Sequence, residues 1–469
     1  MFEDKHLSVE GHRASLATDF YQLTMMYAYF AAEMQGEATF EYFVRKLPRN
    51  RRFLVSAGLE QVLAYLRDLK FTSEEVDFLR QTPTFANAGD VRTRERFFEW
   101  LRAFDFGGTV RAVPEGTIFF PNEPVMQVTG DLLECQLIET YLLSTLNFQT
   151  LVASKAARLR LVAPGKGLVD FGTRRAHGPS AGALAARAAF VGGFDGTSNV
   201  HAAHVLGIPV VGTAAHAYTM AFKSEEAAFA HYLETFPHST TLLIDTYDTA
   251  RGAHRAAALG TDVGGVRLDS GDLGALAKEV RGILDAAGCP DTKIVASNDL
   301  NEYKIRDLLA DSAPIDSFGV GTELVTSRDD PTLSGVYKLV EKIVGGEAVP
   351  TMKFSSSKPS YPGRKDFYRL TDSGGAPLGG ALVQAGESPP GLQGASSSVQ
   401  MLETVFEAGK PTRPPEKLET LRQRTIDGLK KLPAELREIE GKLPEHPTKL
   451  LVSEKTHALM DVCRDRFRE

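Results

Sequence analysis

Between residues 167 and 340, short apolar runs alternate with stretches of helical composition, and this alternation constrains the fold more than any other feature of the chain. The runs have the length and composition of buried strands, and the intervals between them mostly suit a helix. The predicted strands cover residues 168–172, 209–213, 241–246, 265–269, 293–297, 317–320 and 335–340. Strands and helices in this order predict an α/β barrel, and because a regular barrel has eight strands, we expect an irregular one.

Charged and polar residues lie at the ends of three of these runs. They form the segments FGTRRAH at 171–177, GTAAH at 212–216 and RLDSGD at 267–272. In a barrel of alternating strands and helices the strand ends meet at one face, so side chains about a hundred positions apart can share a pocket. We therefore expect the three segments to form one site.

Two pairs of charged residues are candidates for binding anions. Arg174 and Arg175 follow a predicted strand end, where a guanidinium group can hold a carboxylate or phosphate with two hydrogen bonds. Arg267 and Asp269 alternate onto one strand face, so the arginine could hold pyrophosphate and the carboxylate a sugar hydroxyl or Mg²⁺. The alternatives are an exposed arginine pair at a helix start and a structural salt bridge at the barrel rim.

A glycine turn and a histidine complete the candidate site. Gly319 and Gly321, followed by Thr322, lie at a strand end where backbone N–H groups can approach a phosphate, although a tight turn without a ligand would look the same. His216 ends the second segment, and a neutral imidazole there could accept a phosphoryl group or a proton near physiological pH. Together these groups suit one phosphorylated sugar.

The charge and cysteine content argue against several other classes of protein. Lys and Arg number 53 against 60 Asp and Glu, so the net charge of −7 provides no basic field for nucleic acid or an anionic membrane. Cys135, Cys289 and Cys463 lie far apart without CxxC spacing, which favours a reducing cytoplasm. The amino terminus lacks the pattern of a signal peptide, and Arg187 interrupts the alanine-rich stretch before it could span a bilayer.

Composition divides the chain into three predicted domains. Residues 1–130 mix helices with strands and predict an α+β open sheet domain, residues 131–345 form the barrel, and residues 346–469 form a C-terminal extension. Within the extension, residues 371–399 are rich in Gly, Pro and Ser, which indicates a long loop or linker. The basic segment 353–369 is interpreted as a solvated loop.

The chain resembles nicotinate phosphoribosyltransferases across nearly its whole length. The matching motifs are TDFYQLTM at 18–25, FEYFVR at 40–45, FGTRRA at 171–176, GFDGTSN at 193–199, GIPVVGTAAH at 207–216, RLDSGD at 267–272, GVYKLV at 335–340 and PGRK at 362–365. The resemblance implies an irregular α/β barrel of the type II phosphoribosyltransferase kind. It also implies that nicotinate and 5-phosphoribosyl 1-diphosphate are joined to give nicotinate mononucleotide and pyrophosphate, with ATP hydrolysis coupled to the reaction and Mg²⁺ as a cofactor.

The resemblance further implies a role for each site residue. His216 would be phosphorylated by ATP, Arg267 and Asp269 would hold the phosphoribosyl donor, and Phe171 would face the pyridine ring. Tyr21 would stack on that ring from the neighbouring subunit of a homodimer. The other substrate-binding residues would be Arg174 for the nicotinate carboxylate or an adjacent phosphate, Thr213, Gly319, Gly321 and Thr322 for the ribose 5-phosphate, and Asp195, which matches an aspartate that accepts an amide hydrogen bond in related nicotinamide enzymes.

Three alternative functions remain open from the sequence. They are a nicotinamide phosphoribosyltransferase, a quinolinate phosphoribosyltransferase and a non-catalytic barrel that binds nucleotides. Asp195 leaves the choice between nicotinate and nicotinamide open, whereas the TRR and GTAAH contexts favour nicotinate. Arg267, Asp269 and His216 argue against a protein without activity.

Overall fold

The computed structural model describes residues 14–34, 36–353, 360–441 and 448–466. The start of the chain and residues 354–359 of the predicted basic loop lie outside the described residues. The helices are α1 Phe20–Ala31, α2 Leu59–Asp68, α3 Ser73–Gln81, α4 Pro83–Ala86, α5 Val91–Arg102, α6 Leu132–Leu137, α7 Glu139–Val162, α8 Pro179–Val191, α9 Val200–Leu206, α10 His216–Met220, α11 Glu225–Thr235, α12 Thr249–Ala257, α13 Leu273–Ala286, α14 Glu302–Ala310, α15 Thr322–Val325, α16 Leu418–Lys431, α17 Ala434–Arg437 and α18 Glu454–Arg466.

The strands are β1 Glu37–Val44, β2 Leu54–Val55, β3 Thr109–Ala112, β4 Ile118–Phe119, β5 Pro124–Asp131, β6 Gly167–Asp170, β7 Gly196–Thr197, β8 Thr241–Leu243, β9 Gly265–Leu268, β10 Lys293–Ala296, β11 Ser317–Val320, β12 Gly335–Val344, β13 Glu347–Pro350, β14 Lys365–Thr371, β15 Pro377–Gln384, β16 Ser397–Gln400, β17 Glu403–Glu407, β18 Lys410–Pro411 and β19 Lys449–Val452. Among the described residues, no helix is both long enough and apolar enough to span a membrane.

The chain folds into two compact units rather than along the three predicted segments. The two-segment unit contains residues 1–151 and 332–469, and the parallel-sheet unit contains residues 152–331. Residues from the predicted first domain and the predicted extension therefore share one unit. The boundaries differ because the early and late strands complete each other's hydrogen bonding, which composition along the chain does not reveal.

A seven-stranded sheet forms the centre of the two-segment unit, in the order β13-β12-β1-β5-β3-β17-β18. Strand β1 pairs antiparallel with both β5 and β12. Phe40 and Tyr337 stack across the β1–β12 pair, with ring centroids 5.0 Å apart, in a core in which both are buried. The predicted strand at 335–340 therefore exists, but its assignment to the barrel was wrong.

The extension is more ordered than its composition predicted. Strands β14, β15, β16 and β19 form a four-stranded sheet, so the loop predicted at 371–399 contains β15 and most of β16. A Cβ on Gly379 would lie 2.4 Å from the carbonyl oxygen of Lys449, so this glycine permits the close approach of β19 rather than forming a loop. Lys365, predicted to be solvated, is buried with its Nζ 3.0 Å from Glu41 Oε2.

The parallel-sheet unit has the predicted α/β character. Its six strands lie in the order β7-β6-β11-β10-β9-β8, and every neighbouring pair is parallel. The predicted strand at 209–213 is reduced to a single bridge between Val210 and Thr197, which is the irregularity expected from the strand count. Because the strands are parallel, their carboxyl ends lie along one edge of the sheet, and the loops that follow them converge there.

Candidate active site

Arg267 and Asp269 lie side by side at the carboxyl end of β9. Arg267 Nη2 is 3.1 Å from Asp269 Oδ1, while Leu268 between them is buried, as the alternation of strand side chains predicts. Ser297, which follows β10, accepts a hydrogen bond of 3.0 Å from Arg267 Nε and donates one to Asp269 Oδ1. The ion pair is thus fixed by a hydroxyl from the neighbouring strand.

The ionised form of Asp269 is favoured by this arrangement. Burial alone would raise the pKa of Asp269, but the hydrogen bond from Ser297 and the charge of Arg267 outweigh it, so the pKa is lowered from its ordinary value. The carboxylate therefore carries its negative charge at neutral pH and is available to a cation or a sugar hydroxyl.

Arg267 also connects this pair to the segment 212–216. Its Nη1 donates to Thr213 Oγ1 and, at 3.4 Å, to the carbonyl oxygen of Ala214. His216 follows as the first residue of α10, with its Nε2 3.8 Å from Asp269 Oδ2 and its Nδ1 3.2 Å from Thr246 Oγ1. The imidazole is about two-fifths exposed, so it is both held in place and accessible.

Phe171 and Gly319 add an aromatic surface to the same group. The guanidinium carbon of Arg267 lies 5.7 Å from the centroid of the Phe171 ring. A Cβ on Gly319 would lie 2.3 Å from Phe171 Cδ2, so only glycine leaves room for the ring in this position. The sequence indicated that Gly319 makes room for an anion, whereas in the structure the space beside it is taken by Phe171.

Asp170, just before Phe171, holds the turn that carries the ring. Its Oδ1 accepts from the backbone N–H of Gly172 and its Oδ2 from Thr197 Oγ1, both at 2.8 Å. The side chain is fully buried, and burial raises its pKa to about 6, although the two hydrogen bonds work in the opposite direction.

The remaining predicted anion-binding groups lie on the loops that follow β6 and β11. Arg174 and Arg175 belong to a single 3₁₀ turn, Thr173–Arg175, and both side chains are exposed and form no hydrogen bond or ion pair among the described residues. Gly321 precedes α15, whose first residue is Thr322, and both are half-buried. The two arginines are therefore reachable by a ligand.

The structure does not bring Asp195 to this group. Its Oδ2 accepts a hydrogen bond of 2.8 Å from the backbone N–H of Leu168 and is 2.7 Å from Arg160 Nη2. Leu168 lies at the beginning of β6 and Asp195 just before β7, so the carboxylate is at the amino end of these parallel strands. Because the aspartate precedes its strand instead of following it, the structure places Asp195 away from the Arg267 group that the sequence predicted it would join. Tyr21 lies on α1 in the two-segment unit, with about half of its surface exposed.

Three residues at the same edge were missed by the sequence prediction. They are Ser297, Thr246 and Asp245, whose Oδ2 accepts hydrogen bonds from Asp269 N at 2.8 Å and Ser270 Oγ at 2.7 Å. Each lies within three residues of the end of a strand, which is the signal that selected the other site residues. Applying it to every strand of the barrel would have found them.

The carboxylates suit Mg²⁺ bound together with a phosphorylated ligand. Asp245 Oδ1 is buried and has no hydrogen-bond partner among the described residues, while Asp269 is ionised nearby. The described part of the chain contains no cluster of three or more His, Cys, Asp or Glu that could hold a metal ion by itself. Magnesium characteristically takes one or two carboxylates and completes its shell with water and substrate phosphate.

Family models and known proteins match the chain over most of its length. A model described as the nicotinate phosphoribosyltransferase (NAPRTase) N-terminal domain matches residues 16–147, and one described as the nicotinate phosphoribosyltransferase (NAPRTase) family matches residues 167–410. A nicotinate phosphoribosyltransferase of Mycobacterium tuberculosis is 44% identical over 391 residues, covering 82% of this chain and 81% of the relative. One of Bacillus subtilis is 44% identical over 366 residues, covering 76% and 73%.

Solved structures agree with these matches. The crystal structure of human nicotinic acid phosphoribosyltransferase has a TM-score of 0.82 at 32% identity, covering 95% of this chain and 99% of that chain. A nicotinate-nucleotide pyrophosphorylase from Pyrococcus furiosus has a TM-score of 0.70 at 27% identity, covering 89% and 95%. The family predicted from the motifs is confirmed: the chain belongs to the nicotinate phosphoribosyltransferase family.

Proposed function

We propose that this protein transfers the phosphoribosyl group of 5-phosphoribosyl 1-diphosphate to the ring nitrogen of nicotinate, forming nicotinate mononucleotide and pyrophosphate. One observation carries the proposal. Arg267 contacts Asp269, Thr213 and the face of Phe171 at the carboxyl edge of the parallel sheet, with His216 next to Asp269. A cation, a carboxylate and an aromatic ring in one place suit a donor with two phosphate groups and a flat aromatic acid.

In this proposal Arg267 and Asp269 hold the donor, the carboxylate by way of Mg²⁺ or a ribose hydroxyl, and Asp245 supplies a second carboxylate oxygen. Mg²⁺ would neutralise charge on the departing pyrophosphate. Phe171 faces the pyridine ring, and Arg174 binds the nicotinate carboxylate or an adjacent phosphate. Thr213 fixes Arg267, and the turn Gly321 and Thr322 seats the ribose 5-phosphate, while Gly319 makes room for Phe171.

The chemistry then follows from charge. As the bond between ribose C1 and pyrophosphate breaks, C1 becomes cationic, and the pyridine nitrogen attacks it from the opposite face. Holding the two reactants in line can supply about 7–11 kcal/mol of the barrier, and each group aimed at developing charge about 3–4 kcal/mol. Alignment by Arg267 and Phe171 is therefore the larger contribution.

We also propose that ATP hydrolysis is coupled to this reaction through phosphorylation of His216. The carboxylate of Asp269 faces Nε2 and favours the tautomer protonated there, which leaves the Nδ1 lone pair to accept from Thr246. That lone pair can attack the γ-phosphorus of ATP as the bond to the ADP oxygen breaks, giving a phosphohistidine and ADP.

A homodimer with sites shared between subunits and a cytoplasmic location complete the proposal. The exposed apolar surface of α1, which includes Phe20, Tyr21 and Met25, supports a contact that brings Tyr21 of the second copy to the nicotinate ring. All three cysteines are buried thiols without a disulfide, as suits a reducing compartment.

A base-competition assay tests the function. The purified protein is incubated with the donor, Mg²⁺ and labelled nicotinate, nicotinamide or quinolinate, each with and without ATP, while pyrophosphate release is measured. We expect turnover of nicotinate, stimulated by ATP. At a low donor concentration Arg267→Ala should lose most of the activity, whereas Lys278→Ala, which removes an exposed cation on α13, should keep it. Turnover of nicotinamide without turnover of nicotinate would reject the proposal.

A further inference from the structure

A buried lysine with three carboxylates around it lies in the parallel-sheet unit, outside the residues assigned above. Lys155 on α7 is fully buried, and its Nζ is 2.7 Å from Glu302 Oε2, 3.0 Å from Asp329 Oδ1 and 3.8 Å from Glu323 Oε2. An ammonium group out of water is strongly disfavoured unless it is paired, so these carboxylates are what permits the lysine to be there. We call these four residues the Lys155 cluster.

The three carboxylates belong to segments that follow two neighbouring strands. Glu302 is the first residue of α14, after β10, and is also held by Arg158 Nε at 3.0 Å. Glu323 lies in α15, next to Thr322, and Asp329 lies six positions later in the loop that follows. Lys155 therefore forms ion pairs with both ends of the segment 323–329 and connects it to Glu302 on α14.

The Lys155 cluster fixes the position of the segment 323–329 more than it increases the free energy of unfolding. A buried ion cluster can often be replaced by apolar residues of similar size without loss of stability, whereas removing one member leaves a charge without its partner. Short-range hydrogen bonds order the backbone of this segment locally, among them Arg328 N to the carbonyl oxygen of Glu323 and Ser327 Oγ to the carbonyl oxygen of Asp330. Lys155 adds ion pairs that connect Glu323 and Asp329 to α7, and so fixes where this locally ordered segment lies.

We propose that the Lys155 cluster is a positioning device that holds the turn Gly321–Thr322 where it can receive the 5-phosphate of the donor. The inference rests on the proposed function and deepens it, because it names the residues that set the affinity of that turn. Lys155 touches no substrate, and acts through the backbone of the segment 321–329.

The test uses Asp329→Asn, which removes one negative charge while Glu302 and Glu323 still face Lys155. Asp366→Asn is the matched control, because Asp366 is also a carboxylate in an ion pair, with Arg111 at 2.6 Å, and belongs to the two-segment unit. For wild type and both variants, amide hydrogen exchange of residues 321–330, the affinity for ribose 5-phosphate, the donor KM and the kcat are measured.

We expect Asp329→Asn to speed exchange in residues 321–330, to weaken ribose 5-phosphate binding about tenfold and to raise the donor KM more than it lowers kcat. Asp366→Asn should lower the melting temperature without these changes. Exchange and affinity that match wild type in Asp329→Asn, or an equal loss of affinity in both variants, would overturn the positioning role.

The outcome also separates this inference from the proposed function. Wild-type protein that binds ribose 5-phosphate but forms no mononucleotide would reject the proposed function, and the comparison of Asp329→Asn with wild type would still decide the positioning role. Wild-type protein that binds no ribose 5-phosphate would reject both.

Discussion

Replacing Gly319 with alanine separates two explanations of this glycine. Its backbone is extended, within β11, and outside the left-handed region, so alanine fits the local conformation. The added Cβ, however, would lie 2.3 Å from Cδ2 and 2.4 Å from Cε2 of Phe171, more than 1 Å closer than an ordinary contact. The ring must therefore rotate or shift, and its contact with Arg267 at 5.7 Å shifts with it.

Forcing one extra methyl group into a packed position costs about 1–3 kcal/mol. If this cost falls on the state that holds nicotinate, kcat/KM for nicotinate should fall between about fivefold and 150-fold, since 1.4 kcal/mol is a factor of ten. If Phe171 carries the effect, the KM for nicotinate should rise more than the KM for the donor. The opposite order would favour the original interpretation, in which Gly319 lets the backbone approach a phosphate.

A second glycine provides the control for this substitution. Gly282 lies on the exposed side of α13, and an added Cβ would meet nothing within 4 Å. Gly282→Ala should raise stability by up to about 1 kcal/mol, since alanine is the better helix former, and leave both KM values unchanged. Steady-state kinetics and thermal melts of Gly319→Ala and Gly282→Ala show whether the contact with Phe171 causes the effect. Gly319→Ala with wild-type kinetics and an unchanged melting temperature would refute the packing argument.

Three further predictions concern the same edge of the sheet. His216→Ala should abolish the stimulation of product yield by ATP while some ATP-independent transfer remains; unchanged stimulation in a product assay would contradict its phosphorylation. Arg267→Ala should raise the donor KM on the order of a hundredfold and the nicotinate KM less, since hydrogen bonds to a charged group contribute up to about 3 kcal/mol of binding; an unchanged donor KM would contradict its role. Burial raises the pKa of Asp170 from 3.8 to about 6 on folding. Between these two pH values the folded state binds more protons than the unfolded state. Raising the pH from roughly 4 to roughly 6 should therefore lower the free energy of unfolding by about 3 kcal/mol. Denaturant melts should show this slope in wild type and a flatter one in Asp170→Asn; equal slopes would show that Asp170 does not titrate as its burial implies.

The sequence predicted the parallel sheet and most of the candidate site at its carboxyl edge because both depend on local rules. A buried parallel strand is a short apolar run, and the residue after it lies at the functional edge whatever the distant chain does. Arg267, Asp269, His216, Thr213 and Phe171 were found in this way, and the structure brings them together. The same rule fails for Asp195, which stands before its strand.

Strand pairing could not be predicted from composition. Nothing within residues 335–340 indicates that they pair with β1 rather than with a barrel strand, because the choice depends on a partner about 300 positions away. The sheet within residues 371–399 was hidden for another reason. Its glycines, such as Gly379, suggest a loop when read alone, but here they let a neighbouring backbone come close.

The pairing of β1 with β12 also determines when the central sheet of the two-segment unit can be completed during synthesis of the chain. Ala38 leaves the ribosome long before its partner Lys342, and at about 5–20 residues per second the delay is roughly 15–60 s. All of residues 152–331 emerge during that interval, so the parallel sheet can form while one side of β1 still lacks its neighbour. During that time the backbone N–H and C=O groups on one side of β1 are unpaired and can pair with a strand of another nascent chain. The chain is therefore exposed to aggregation before its last third is synthesised.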